Sequence, residues 1–292
     1  VALAVLSIGA SCSGTRGDAG GVGAAGGNGR SGEPAPAHGP RIERLDAVDL
    51  SDLTPAERRI WVDLVNAQLS PCGEPVSVAR CVAEGRSCRT CVSAARYLVR
   101  LVAEGYERSD IEELYELRYG RDTALEISTE GLPMRGSPMA QVTIVEFSDF
   151  ECPHCGRSHP IINQILREHE GQVRVFFRHY PLSSHPRAMP AARAAVAAGE
   201  QGRFWEMADL LFSHQRRLED EDLERYAAEL GLHLERFRAA MRSPETQARI
   251  ERDREEGRRL GVDATPTFFV NGRRFREPPT SLPAYVREEL DQ

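Results

Sequence analysis

Two cysteines three positions apart, in "EFSDFECPHCGRSHP" at 146–160, are the residues best equipped to do chemistry. Cys152 and Cys155 enclose Pro153 and His154. Such a pair serves as a redox dithiol, as half of a zinc site, or as a structural staple. Zinc takes four ligands and needs a second pair close by, and neither His159 nor His169 has a partnered cysteine spacing. No metal or organic cofactor is therefore expected at this pair. A sulfur at the start of a helix faces unpaired backbone N–H groups and the positive end of the helix dipole. Both favour thiolate over thiol. His154 can add a third donor or a positive charge, and Pro153 suits a first helical turn, where its missing N–H costs nothing. If helix end and His154 together lower the Cys152 pKa by ~3–4 units, the disulfide becomes roughly 100 mV more oxidising. A bond of that kind is better suited to donation than to stapling.

The elements that must hold the pair can be read on either side of it. "QVTIVEF" upstream is a buried-type strand, and "GRSHPIINQILREHEG" downstream carries Ile161, Ile162, Ile165 and Leu166 at helical spacing. "QVRVFFRHY" is a second strand, and residues 187–260 are helical throughout, with Ser243-Pro244 starting the last helix of that block. "TPTFFVNGRRFRE" reads as a strand, an Asn271-Gly272 turn and a returning strand, and "LPAYVREELDQ" closes with a helix. Strand, helix, strand is a parallel βαβ unit, so the fold class of 141–292 is α/β with a helical insertion at about 187–260. His179, His185 and His214 read as turn or surface residues.

Upstream lie four further segments. Residues 128–140, "STEGLPMRGSPMA", form a linker punctuated by Gly and Pro. Residues 45–127 form a small all-α module: Thr54 and Glu57 make one capping box, Ser109 and Glu112 a second, and Trp61, Leu64, Val65 and Leu69 share a face. Residues 13–44 are rich in Gly, Ala and Pro and read as a disordered tether. Residues 1–12, "VALAVLSIGASC", look like the end of a lipoprotein signal peptide, with Gly9-Ala10-Ser11-Cys12 as lipobox and Cys12 as the lipidated residue. Ordinary secretion and a cytosolic chain with an apolar start are the alternatives.

Composition narrows the classes. The 292 residues carry a formal net charge of -7, and no basic stripe is interleaved with aromatics, which argues against nucleic-acid partners. Nothing after residue 12 is long and apolar enough to span a bilayer. There are seven cysteines; assigning Cys12 to a lipid thioether leaves six, which can pair in an oxidising compartment.

Residues 138–276 resemble the DsbA family of thioredoxin-fold thiol oxidoreductases. The resemblance rests on "VTIVEFSDFECPHC", "VRVFFRHYPL", "GEQGRFWEMADLLF" and "LGVDATPTFFVNGRRF", in family order. It implies a thioredoxin-like fold, Cys152 as the attacking cysteine and Cys155 as the resolving one. It also implies that Pro266 is a cis-proline whose flanking backbone binds substrate, and that Glu146 is a buried acid relaying protons to Cys155, with a raised pKa. The implied clients are newly exported cysteine-containing proteins, with a membrane redox partner and a periplasmic or envelope location. The chain has Thr265 where the strongest oxidases of the family have Val, which keeps a reductase or isomerase as the alternative. A tethered client-binding or cytochrome c maturation accessory is a third reading.

Cys72, Cys81, Cys88 and Cys91 allow two disulfides, a Cys₄ zinc site, or one structural bond plus a redox Cys88–Cys91 pair. "CRTCVSAARYLVRLVAEGYERSDIEELYELRYG" is similar to the three-helix thiol domain of CcmH-type cytochrome c maturation proteins. That likeness implies electron exchange between the helical module and Cys152–Cys155.

Overall fold

The computed structural model describes residues 40–292, so the expected signal-peptide end, Cys12 and nearly all of the expected tether lie outside the described residues. The helical module comprises α1 (Pro55–Ala67), α2 (Val78–Ala83), α3 (Thr90–Ala103) and α4 (Arg108–Tyr119). The Thr54 box forms as expected: the Thr54 side chain accepts from the Glu57 N–H, and Glu57 reaches back to the Thr54 N–H. The expected Ser109 box does not form. Glu107 is the N-cap, extended at φ -64 and ψ 148. The helix thus starts earlier, and Ser109 falls inside the first turn. Arg108 and Glu112 pair there instead, one turn apart.

The module's sulfurs are bonded as Cys72–Cys88 and Cys81–Cys91. Cys88 and Cys91 are therefore not bonded to each other, contrary to the reading that made them a separate redox pair. Closing loops of 16 and 10 residues, each bond contributes on the order of 3 kcal/mol by constraining the unfolded chain.

Next come β1 (Met134–Gly136), β2 (Val142–Ser148), α5 (Pro153–Glu168) and β3 (Val173–His179). The helical block follows as α6 (Ala188–Gly199), α7 (Phe204–Ser213), α8 (Asp220–Glu229), α9 (Leu234–Arg242) and α10 (Pro244–Arg259). The hairpin of β4 (Thr267–Val270) and β5 (Arg273–Phe275) and the helix α11 (Leu282–Leu290) complete the chain. The sheet order is β1-β3-β2-β4-β5, with β2 and β3 parallel and the other pairs antiparallel. β1 lies within the stretch expected to be linker. It is three residues long with no alternation to betray it, and it reaches β3 through Gly136, where a Cβ would come within 2.3 Å of the Val173 carbonyl. The turn of the hairpin uses Asn271 (φ 48) and Gly272 (φ 80), both in the left-handed region that a tight two-residue turn demands.

Alternation along β2 divides the core. Val142 and Ile144 pack with Ile162 and Ile165 of α5, whereas Val145 and Phe147 pack with Leu260, Val262 and Phe269. Glu146 and Ser148 are in phase with Val142 and Ile144, so they face α5. The first of these cores continues into the helical module, joining Trp61, Leu64, Leu98 and Leu101 to Tyr285 and Val286. Polar contacts cross the same seam. Tyr97 donates to Glu277 at 3.0 Å, Arg100 bonds Glu277 and Glu288, and Arg118 bonds Glu288 and Glu289. The Arg118 guanidinium also lies 3.6 Å from the centre of the Tyr285 ring.

Candidate active site

The end of β2 turns over Asp149 and Phe150 into α5, and this turn places the two sulfurs. Cys152 is the N-cap of α5, with Pro153 in the first turn. Its carbonyl accepts from the Gly156 N–H at 3.1 Å, so the sulfur sits beside the free N–H groups of the helix end. Gln215 holds the turn from α7's side, donating to the carbonyls of Phe150 (2.9 Å) and Cys152 (2.8 Å). A Cβ on residue 156 would lie 2.2 Å from Gln215 Oε1, so a larger residue there would push this amide off the two carbonyls.

Cys152 and Cys155 are both free thiols, and their environments push them apart. The Cys152 pKa is brought down to about 5, first by the hydrogen bond from Cys155 and then, against the cost of burial, by Thr265 and the backbone N–H groups of Cys155 and His154. Burial pushes Cys155 strongly up, and the sulfur of Cys152 adds to it. The two thiols therefore divide the labour: one ionises readily, the other holds its proton. The His154 ring does not supply the expected donor to the thiolate. It is paired with Arg157 at 2.9 Å, and His154 acts on Cys152 through its main chain.

Opposite the pair, the Thr265–Pro266 peptide is cis. The thiol of Cys152 donates to the Thr265 carbonyl at 3.4 Å, so the residues expected at the substrate edge meet the sulfur directly. After the hydrogen bond from Cys155, the buried Thr265 hydroxyl is the side-chain group that lowers the Cys152 pKa, and it has no other hydrogen-bond partner among the described residues. An open cavity of about 660 Å³ begins here, lined by Ile161, Ala264, Thr265, Pro266 and Pro279 among others.

Glu146 lies beneath α5 with 1% of its surface exposed, and burial raises its carboxyl above the usual range, partly offset by His159. Cys155 and His159 are one turn apart on the buried face of α5. Glu146 Oε1 has no hydrogen-bond partner among the described residues.

Four residues escaped the sequence reading. The Asp149 carboxylate is fully buried and accepts from the N–H groups of Glu151 and Leu182 and from His185 Nδ1 at 2.7 Å. The Asp149 N–H faces Cys155 Sγ at 3.5 Å. His185, expected as a turn residue, is in its loop, yet against the cost of partial burial its pKa is raised by Asp149. His159 bonds Asp209 at 2.6 Å, and Asp209 lines a separate cavity of about 800 Å³. The signal was weak because these partners lie 36 and 50 residues apart. His179 is a correction: it is 1% exposed on β3, and burial drives its pKa down to about 3, so it is a neutral core residue. His214 is exposed, as expected.

A helix-capping thiol of low pKa, a buried partner thiol and a cis-proline on a five-stranded sheet define a thiol–disulfide oxidoreductase. The chain belongs to the thioredoxin family, whose Thioredoxin_4 model matches residues 128–284. Among solved structures, it is similar to a thioredoxin-like oxidoreductase from Silicibacter pomeroyi, at 28% identity and a TM-score of 0.51, covering 56% of this chain and 94% of that one. The thiol-disulfide exchange protein alpha-DsbA2 from Wolbachia pipientis shares the fold at 22% identity and a TM-score of 0.50, over 62% and 94% of the two chains. Among curated relatives, the Na(+)/H(+) antiporter NhaA 3 of Salinispora tropica is 48% identical over 146 residues, 50% of this chain and 22% of that protein. The Na(+)/H(+) antiporter NhaA of Herminiimonas arsenicoxydans is 47% identical over 144 residues, 49% and 23%. The chain spans less than a quarter of the length of these relatives.

Proposed function

We propose that this oxidoreductase works outside the cytoplasm as a protein thiol oxidase, donating a Cys152–Cys155 disulfide to newly exported proteins. The observation that carries the reading is the opposed titration of the two sulfurs. A client thiolate attacks Cys152 Sγ, the S–S bond breaks, and the electron pair leaves on Cys155. Because Cys155 favours its protonated state, it takes up a proton at once, and the Glu146 carboxyl, which faces α5 and whose pKa burial raises, can supply it. A second client thiolate then attacks the client sulfur of the mixed disulfide. Cys152 departs as a stable thiolate, the client has lost two electrons, and the enzyme is reduced. A quinone-linked membrane oxidase would restore the disulfide.

The two disulfides of the helical module, and the even six cysteines left once Cys12 is set aside, support an oxidising location, in the periplasm or cell envelope, with Cys12 as the lipid anchor. The antiporter relatives are named for Na(+)/H(+) exchange, and this chain matches less than a quarter of their length. The test is refolding of a reduced two-cysteine client by the oxidised protein. The oxidised chain should restore client activity, Cys152→Ala should abolish this, and Cys155→Ala pre-charged as a Cys152 mixed disulfide should be released by a two-cysteine client but stall with a one-cysteine client. A Cys152→Ala protein that oxidises the client at the normal rate contradicts the reading.

A reductase or isomerase role is the second reading, favoured by the buried Thr265 hydroxyl beside Cys152. It requires a reduced resting pair and dithiol-driven insulin reduction.

A further inference from the structure

The four sulfurs of the helical module converge on one point. Cys72 comes from the loop after α1, Cys81 from α2, Cys88 from the α2–α3 loop and Cys91 from the first turn of α3. All four Sγ atoms lie within 4.8 Å of one another, and Cys72 Sγ of one disulfide is 3.2 Å from Cys91 Sγ of the other. Two staples have no need of this. Their loops overlap in sequence, 72–88 and 81–91, so the second closure constrains a chain already constrained by the first. Touching sulfurs add nothing to either.

Convergence is what a tetrahedral metal centre requires. With Zn–S bonds of about 2.3 Å, the four sulfurs of such a site stand ~3.8 Å apart. Three details fit the same chemistry. Cys88 and Cys91 have the two-residue spacing of a metal-binding knuckle. Gly73, immediately after Cys72, adopts φ 77 with open space where a Cβ would stand, a left-handed turn directly after the first sulfur. Cys91 sits in the first turn of a fourteen-residue helix, where a thiolate is favoured. Charge agrees as well. Arg80, Arg86 and Arg89 lie in the segment against Glu74 and Glu84, with which Arg80 and Arg86 pair, and Arg121 reaches the Gly73 carbonyl, so the segment around the sulfurs is basic on balance.

We propose that the reduced form of Cys72, Cys81, Cys88 and Cys91 binds one zinc ion, so that the module has a two-disulfide state and a metal-bound state. Two equivalents of a dithiol, each becoming a disulfide, reduce the two S–S bonds and leave four thiols. Coordination of one Zn²⁺ then releases four protons. The cluster is separate from the Cys152–Cys155 pair and does not depend on the direction in which that pair works.

The experiment uses the full chain with Cys12→Ser, Cys152→Ser and Cys155→Ser, so that these four are its only thiols. The protein is reduced with a phosphine and titrated with Co²⁺ without oxygen, followed by Zn²⁺. The expected result is one Co²⁺ per chain, with the visible bands and sulfur-to-metal charge transfer of a tetrahedral tetrathiolate, displaced by one equivalent of Zn²⁺. Adding Cys91→Ser should weaken binding at least tenfold and change the spectrum, and the oxidised chain should bind none. If reduction loosens the module, the metal should restore its helical circular dichroism. A reduced chain that neither binds stoichiometric cobalt nor regains helix overturns the proposal. So does an octahedral spectrum that Cys91→Ser leaves unchanged.

Discussion

At the scale of single residues, the reactive thiol is made by its neighbours rather than by its type. The Cys155 hydrogen bond heads the contributions to Cys152, and the His154 ring is turned toward Arg157. Alkylation of the reduced protein by iodoacetamide should therefore have a midpoint near pH 5, set by the Cys152 thiolate. Cys155→Ala should raise that midpoint by more than about one unit, and His154→Ala should move it less; the reverse order would assign the effect to the imidazole. Thiolate stabilisation of the reduced fold has a definite sign. With its folded pKa depressed below the free-thiol value of 9.0, Cys152 contributes fully above that value and loses the contribution as pH falls through about 5. Glu146 tests the other sulfur. Glu146→Gln keeps the shape but cannot exchange a proton, so the Cys155-dependent step in stopped-flow kinetics should slow by about tenfold to a hundredfold. An unchanged rate would remove Glu146 from the relay. Glu146 was singled out only through the family resemblance, whereas local spacing made Cys152 and Cys155 legible in the sequence. Asp149 and His185 were not, because a buried carboxylate and its partner from a distant loop leave no short-range pattern.

At the scale of elements, legibility followed hydrophobic period and cap chemistry. β2, α5 and β3 were readable because their apolar positions repeat at 2 or 3.6 residues, and the Thr54 cap because both halves of its box lie within four residues. β1 was hidden by its length, and the false Ser109 box shows that the motif alone does not fix where the chain enters the helix. What joins the elements could not be read at all. Arg118 of α4, its side chain 1% exposed, is neutralised by Glu288 and Glu289 of α11, some 170 residues away. Arg118→Ala leaves two carboxylates short of a partner at a buried seam and should cost about 3–5 kcal/mol in chemical denaturation. A loss below about 1 kcal/mol would mean that the seam is held by its apolar contacts alone.

At the scale of the whole molecule, the helical module and the thioredoxin-fold unit share one apolar core, so the module's sulfur chemistry is built on the same scaffold as the Cys152–Cys155 site. The sequence divided these parts by composition and linker texture; their common core depends on side chains from both ends of the described chain, which no local pattern reports. The direction of electron flow is a property of the assembled site, and one quantity reports it. A Cys152 pKa lowered from 9.0 to about 5 favours the dithiol over the disulfide by roughly 120 mV, at about 30 mV per unit. The reduction potential of Cys152–Cys155, measured by glutathione titration of the full chain, should lie above about -180 mV, in the range of disulfide donors. A value at or below about -270 mV, the range of thioredoxin reductants, would contradict the oxidase account.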